Sequence, residues 1–146
     1  MLNRIKKQSI SAWICLGAAV LALIAMILYI QNSTTGIMQT VPLKTLAIWF
    51  SAISVVLLAA LFAMGDRLPH WIVSIVMLVA VVFLTVSICS LINNRTDIAG
   101  DQWFIPGMDT PEKGACLSGA ITCIVFWVLS IAAVIVAAFF GRSEKR

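Results

Sequence analysis

Four long apolar runs, none of which contains a charged residue, constrain the fold of this chain more than any other feature. They cover residues 11–30, 45–64, 71–92 and 115–140. Each has about the 20 residues that a helix needs to cross a hydrocarbon core of roughly 30 Å. Inside a bilayer the backbone groups must be hydrogen-bonded within the protein, so each run is predicted to be a helix. We therefore expect an all-α integral membrane protein, folded as a four-helix antiparallel transmembrane bundle.

The composition leaves little material outside the membrane. Of the 146 residues, 62% are hydrophobic and 11% are charged, whereas soluble domains carry about 25% charged residues. The predicted outer loops, 31–44 and 93–114, are too short to hold a soluble domain. Residues 1–146 are thus expected to form a single transmembrane domain. Thr110 and Pro111 have the residue types of a helix cap and a first helical residue, which predicts a fourth helix that begins at Pro111.

The basic residues predict the topology. If the N-terminus is cytoplasmic, seven of them lie inside and three outside. The inner set is Arg4, Lys6, Lys7, Arg67, Arg142, Lys145 and Arg146, and the outer set is Lys44, Arg95 and Lys113. This difference follows the positive-inside rule, so both termini are predicted to be cytoplasmic in a multi-pass protein of the cell membrane. Because the basic residues are few and lie at span ends, no nucleic-acid partner is expected.

Small residues on the fourth span predict where helices pack. Spacing of four places residues on one helix face, and small side chains let two backbones approach closely. The predicted packing or partner columns are Gly114, Ser118 and Thr122; Ala115, Gly119 and Cys123; and Ala133 and Ala137. Such columns serve either contacts within the bundle or contacts with a second protein.

The spans lack the residues that intramembrane chemistry usually requires. No ionisable acid or base lies inside a run, and buried charges are the usual sign of ion coupling or proton relays. The single histidine, His70, cannot supply two haem ligands. We therefore expect no catalytic residue, no metal ligand and no cofactor, and the chain is predicted not to be an enzyme.

The four cysteines contain no C-x-x-C motif, so a thiol oxidoreductase is not indicated. Cys89 ends the third run and Cys116 begins the fourth, at the same side of the membrane. A disulfide between them across the second outer loop is one hypothesis. The alternative is that both are small buried thiols.

The second outer loop contains an apolar segment, Trp103, Phe104 and Ile105, between acidic residues. Such a segment predicts docking onto the membrane surface, onto the first loop or onto a partner protein. The segments that begin at Asn32 and Asn94 match glycosylation acceptors, and the sequence leaves open whether either is modified.

These observations favour a non-enzymatic accessory or scaffold subunit of a larger membrane protein complex. Its expected partners are membrane lipid and other membrane subunits or further copies of the chain. The alternative is a small homo-oligomeric channel or transporter that is lined by the serine and threonine hydroxyls of the spans.

Overall fold

The computed structural model of the protein describes residues 10–64 and 67–143, with side chains described as far as residue 140. In this part of the chain the secondary structure is helical. The helices are α1 (Ile10–Thr34), a short 3-10 helix (Gly36–Thr40), α2 (Leu46–Met64), α3 (His70–Phe104) and α4 (Pro111–Ser143). By length and composition, α1 to α4 could each cross a membrane. Five basic residues that support the predicted topology lie outside the described residues: Arg4, Lys6, Lys7, Lys145 and Arg146.

Helix α3 is much longer than the apolar run that predicted it. Residues 93–104, placed by the sequence in a 22-residue loop, continue the helix instead. The polar composition of Asn93 and its successors marks the end of the apolar surface, and no proline stops the helix before Pro106. The chain turns at Gly107, whose φ of 84° suits a residue without a Cβ. The connection between α3 and α4 is therefore residues 105–110.

Helix α4 begins at Pro111, as predicted. The Lys113 N–H donates to the Thr110 hydroxyl at 3.3 Å, which gives one free amide of the first turn a partner. Pro111 precedes the apolar run 115–140, and α3 continues beyond the run 71–92. Both helices therefore extend past their apolar runs at the same end of the bundle. We call this end, where the 3-10 helix and residues 105–110 lie, the loop end, and the opposite end the terminal end.

The four helices form a ring in chain order: α1 packs on α2 and α4, and α3 packs on the same two helices. The buried positions of each helix follow one another in steps of three and four, mostly in alternation. On α1 they include Ser11, Cys15, Ala18, Ala22, Ala25, Tyr29 and Ser33. On α4 they include Cys116, Ala120, Cys123, Trp127, Ser130, Val134 and Ala137. This is the heptad spacing of left-handed helix bundles, in which small residues let backbones come close.

Serine hydroxyls hold neighbouring helices together through buried hydrogen bonds. Each donates to a backbone carbonyl of the adjacent helix. The pairs are Ser11 to Ala137 at 2.7 Å, Ser130 to Ala18 at 2.7 Å, Ser87 to Ala47 at 3.1 Å and Ser54 to Ala80 at 3.3 Å. Measured interhelical bonds of this kind in a membrane average about 0.6 kcal/mol, so their combined effect is modest but sets the helix register.

Trp127 fills the centre of the ring. Its side chain is fully buried, and its indole N–H donates to the Ser51 hydroxyl on α2 at 3.1 Å. Its ring also lies 6.0 Å from that of Tyr29 on α1. A buried indole requires such a partner for its N–H, so Trp127 links α4 across the ring to α2.

Candidate functional site: a buried arginine at the loop end

Arg95 is the most unusual residue of the described structure, because a charged side chain lies inside the helix ring. It belongs to the part of α3 that the sequence assigned to a loop, and only 3% of it is exposed. The expectation that it is an outer-loop charge was wrong. On α3 it follows the buried positions Leu84, Ser87 and Leu91, so it continues the inward-facing stripe by one more turn.

The Arg95 guanidinium is only partly satisfied. Its Nη2 donates to the Ser33 hydroxyl on α1 at 3.0 Å, which connects α3 and α1 across the ring. Its Nε and Nη1 are buried and have no hydrogen-bond partner in the structure. Nε carries one N–H and Nη1 carries two, so three N–H donors stay unpaired. Buried donors without partners are rare in proteins and cost free energy.

Polar side chains from three helices surround Arg95. The Tyr29 hydroxyl donates to the Lys44 backbone carbonyl at 3.0 Å. It also lies beside the side chains of Ser33 and Asn94 and within electrostatic range of Arg95. The Cys123 thiol on α4 lies within the same range. The guanidinium therefore lies among polar side chains of α1, α3 and α4, and we call this group of residues the Arg95 chamber.

Asn32 adds another unpaired donor at this level. Its Nδ2 is buried and has no hydrogen-bond partner. Its amide packs against Gly119 of α4 so closely that a Cβ at Gly119 would lie 2.9 Å from the Asn32 Oδ1. Gly119 is one helical turn from Cys123, and Asn32 is next to Ser33, so this amide and the guanidinium lie within about one turn of each other.

The depth of the site follows from helix geometry. Ser11 contacts Ala137 at the terminal end and Ser33 contacts Arg95 at the loop end. The 22 residues between Ser11 and Ser33 correspond to about 33 Å of helix. A hydrocarbon core is roughly 30 Å thick, so a bilayer that covers the apolar runs ends close to Arg95. In such a bilayer, Arg95 would lie at the level where lipid headgroups begin.

No described carboxylate neutralises Arg95. In the described part of the chain, the one salt bridge joins Lys113 Nζ and Asp101 Oδ2 at 3.1 Å, nearer the α3–α4 turn. Arginine keeps its charge at any physiological pH. A buried charge without a counter-ion costs several kcal/mol, so the chamber as it stands is electrostatically suited to an anion.

A cleft of about 200 Å³ opens beside this chamber at the loop end. It lies between the end of α1, the 3-10 helix and the first turns of α4. Asn32 lines it, together with Thr35, Gly36, Ile37, Glu112, Ala115 and Cys116. The Asn32 side chain thus lines the cleft and also lies within about one helical turn of the Arg95 guanidinium.

The predicted packing columns of α4 meet different surroundings. In the first column Ser118 and Thr122 are exposed, so these two residues form no seam within the chain, and a contact of this column with a second protein stays a prediction. In the second, Gly119 and Cys123 pack inside but Ala115 is exposed. A spacing of four advances by about 40° around the helix per step, so such a column drifts off the contact face. Alternating steps of three and four stay on it, and Ala137 lies on that series.

Of the remaining α4 positions, Gly114 lies beside Gln102, whose Nε2 would be 3.8 Å from a Cβ at this glycine. Ala133 is half-buried and packs against the core at the terminal end. Neither position contacts the Arg95 chamber.

The predicted docking segment is exposed on the surface. Trp103 and Phe104 are the last residues of α3, and 62% and 81% of their surfaces are exposed. Ile105 and Met108 in the following turn are exposed as well. These four residues lie within a stretch of six residues, 103–108, at the tip of the loop end, and we call them the apolar tip.

The Cys89–Cys116 disulfide is absent: both are free thiols. Cys89 is exposed and faces the cleft beside Leu43–Leu46 at the start of α2. Cys116 is buried and faces the cleft beside Asn32 and Thr35. Because the two side chains point to different faces of the bundle, the geometry opposes a bridge.

The two glycosylation matches lie in packed helices, where Asn32 presses on Gly119 and Asn94 lies beside the Tyr29 hydroxyl. Among the described residues, no three His, Cys, Asp or Glu side chains come together as metal ligands. No protein family, curated protein or solved structure matches the chain.

Proposed function

We propose that the chain is an antiparallel four-span bundle of the cell membrane, with both termini in the cytoplasm. Contacts between α1 and α4 support the antiparallel order, because residue numbers rise on one helix as they fall on the other. Ser11 meets Ala137, Ala18 meets Ser130, and Asn32 meets Gly119. The basic residues of the sequence favour cytoplasmic termini, which would place the loop end outside the cell.

In this membrane the chain acts as a non-enzymatic accessory or scaffold subunit of a larger protein complex. The observation that carries this proposal is the apolar tip, Trp103–Ile105 with Met108. Large exposed apolar patches on a surface that faces water mark interaction sites. Aromatic residues and methionine are also enriched where proteins bind each other.

The position of the apolar tip favours a protein partner over the lipid surface. From Ile92, where the apolar run of α3 ends, to Trp103 the helix rises roughly 16 Å. The headgroup layer on each side of the core is only about 5–8 Å thick. A tip at that height stands clear of the lipid, so the contact that would cover it is the outer part of another membrane protein.

The channel alternative has less support. The interior hydroxyls that were expected to line a pore are engaged in bonds between neighbouring helices, as with Ser87 and Ser130. The outward hydroxyls of Thr85 and Thr122 donate to carbonyls of their own helices, which is the usual arrangement in spans.

The proposal is tested by purification from the native membrane in a mild detergent, through a tag on the C-terminus. We expect a second polypeptide at a fixed stoichiometric ratio. Phe104→Ala should remove it, whereas Phe139→Ala, which alters an equally exposed phenylalanine near the terminal end (72% against 81%), should retain it.

Two results would overturn the proposal. One is a particle that contains this chain alone, which would redirect the work to solute flux in liposomes. The other is a partner that Phe104→Ala and Phe139→Ala retain equally, because the apolar tip would then contribute nothing to its binding.

A further inference from the structure

The unpaired donors at Arg95 and Asn32 define a site for an anion. The guanidinium has donors only and no acceptor, and its free N–H groups can be satisfied only by acceptor atoms. Together with the two N–H bonds of the Asn32 Nδ2, the buried atoms without partners at this level of the bundle carry five N–H bonds. An anionic ligand with more than one acceptor oxygen satisfies such a set, and charge-assisted bonds of this kind are the strong ones.

We propose that the Arg95 chamber binds a phosphate group, and that its source is the headgroup of a membrane phospholipid. A phosphodiester carries its negative charge on two non-bridging oxygens and has two ester oxygens beside them, and this tetrahedral group can accept from donors that lie on different helices. Arginine is the residue best suited to recognise phosphate. The negative charge of the ligand neutralises the Arg95 guanidinium inside the helix ring.

The depth of the site favours the lipid as the source. Arg95 lies about 33–36 Å from the terminal end along α1 or α3, which is where a phospholipid phosphate is found. Basic pockets between transmembrane helices are known to bind lipid headgroups. Free phosphate has the same chemistry, and the experiment below separates the two.

The cleft beside Asn32 is the route to the guanidinium. Its volume of about 200 Å³ is well above the roughly 10–15 Å³ that one water requires. Asn32 lines it, and Ser33, the next residue, contacts Arg95. Glu112, the acidic residue of this cleft, repels an anion, so Glu112→Gln should tighten binding.

The test uses the purified full chain, freed of lipid in a phosphate-free detergent. Native mass spectrometry counts bound phosphatidylglycerol, with diacylglycerol as a lipid that lacks the phosphate. Thermal unfolding with inorganic phosphate, against chloride at equal ionic strength, forms the second arm, because a ligand of the folded state raises Tm. Arg95→Gln removes the charge, Arg95→Lys retains it, and Lys44→Gln removes an exposed charge at the same end.

We expect one tightly held phosphatidylglycerol on the wild type and on Lys44→Gln. Its affinity should fall about tenfold or more in Arg95→Gln and recover in part in Arg95→Lys. Diacylglycerol should not be retained. A rise in Tm with inorganic phosphate alone would support the site with the free anion as its ligand.

Three results would overturn the proposal. Retention of phosphatidylglycerol and diacylglycerol in equal amounts would indicate chain contacts only. Unchanged binding in Arg95→Gln would place the ligand elsewhere. No response of the wild type to either probe, a result that does not depend on any variant folding, would mean that the chamber holds no phosphate.

Discussion

Gly119→Ala is a sharp test of the packing at the Arg95 level. A Cβ at this position would lie 2.9 Å from the Asn32 Oδ1 and 3.1 Å from its Cγ. Both distances are shorter than ordinary van der Waals contact, so the Asn32 amide must move. Forcing an extra carbon into a packed site costs about 1–3 kcal/mol.

The intrinsic preference of the helix acts in the opposite direction. Alanine stabilises a helix interior by about 1 kcal/mol relative to glycine. The net effect of Gly119→Ala is therefore a loss of about 0–2 kcal/mol. The matched control is Gly114→Ala on the same helix, where the nearest atom, the Gln102 Nε2, is 3.8 Å away. Without a clash there, we expect a gain of up to about 1 kcal/mol.

The assay is reversible unfolding of the purified protein in mixed micelles, followed by far-ultraviolet circular dichroism. The two alanine variants should differ by about 1–3 kcal/mol, the steric cost alone. In an Asn32→Ala background the obstacle is absent, and Gly119→Ala should then stabilise like its control. If Gly119→Ala stabilises the otherwise unchanged protein as much as Gly114→Ala does, Asn32 does not pack on α4 and the account of this level is wrong.

Three further predictions concern the rest of the bundle. Trp127→Phe and Ser51→Ala should each lower the free energy of unfolding by about 0.5–1.5 kcal/mol. The double variant should lose less than the sum of the two, because both variants remove the same hydrogen bond, and additive losses would contradict that bond. Ala120→Leu should destabilise by about 1–3 kcal/mol whereas Ser118→Leu should stay within about 0.5 kcal/mol, measured by the same unfolding assay; equal effects would refute the heptad seam. Cys89 should be alkylated in detergent without reductant, as detected by intact mass, and labelling that requires a reductant would contradict a free exposed thiol.

The helices themselves were largely predictable from the sequence, since the four apolar runs correspond to four long helices. The length of α3 was not, because hydropathy reports where a helix leaves the membrane and not where it ends. The better signal was the first strong helix stop, Pro106 followed by Gly107. Read that way, residues 93–104 would have been assigned to α3.

The Arg95 chamber was missed for the same reason. A residue in an assumed loop is not assigned to a helix face, so Arg95 was counted only as a charge. Arg95 follows Leu91 by four, as Leu91 follows Ser87, whereas the alternating series continues from Leu91 to Asn94, so the heptad spacing does not select Arg95 even when α3 is extended. Its contact with Ser33, 62 residues away, depends on how α1 crosses the ring, and no local pattern contains that information.

The apolar tip was recognised in the sequence, but its height was not. Trp103 and Phe104 stood out as aromatics in a polar segment, and the sequence left three docking surfaces open. The helical rise from Ile92 favours one of these three surfaces, the partner protein, because it places the apolar tip beyond the headgroup layer.

Native mass spectrometry of the particle extracted from its own membrane decides whether this chain is a subunit of a larger membrane complex, as we propose. We expect a mass equal to this chain plus a different polypeptide in fixed ratio. A mass that is a whole multiple of this chain, with no other polypeptide present, would contradict it.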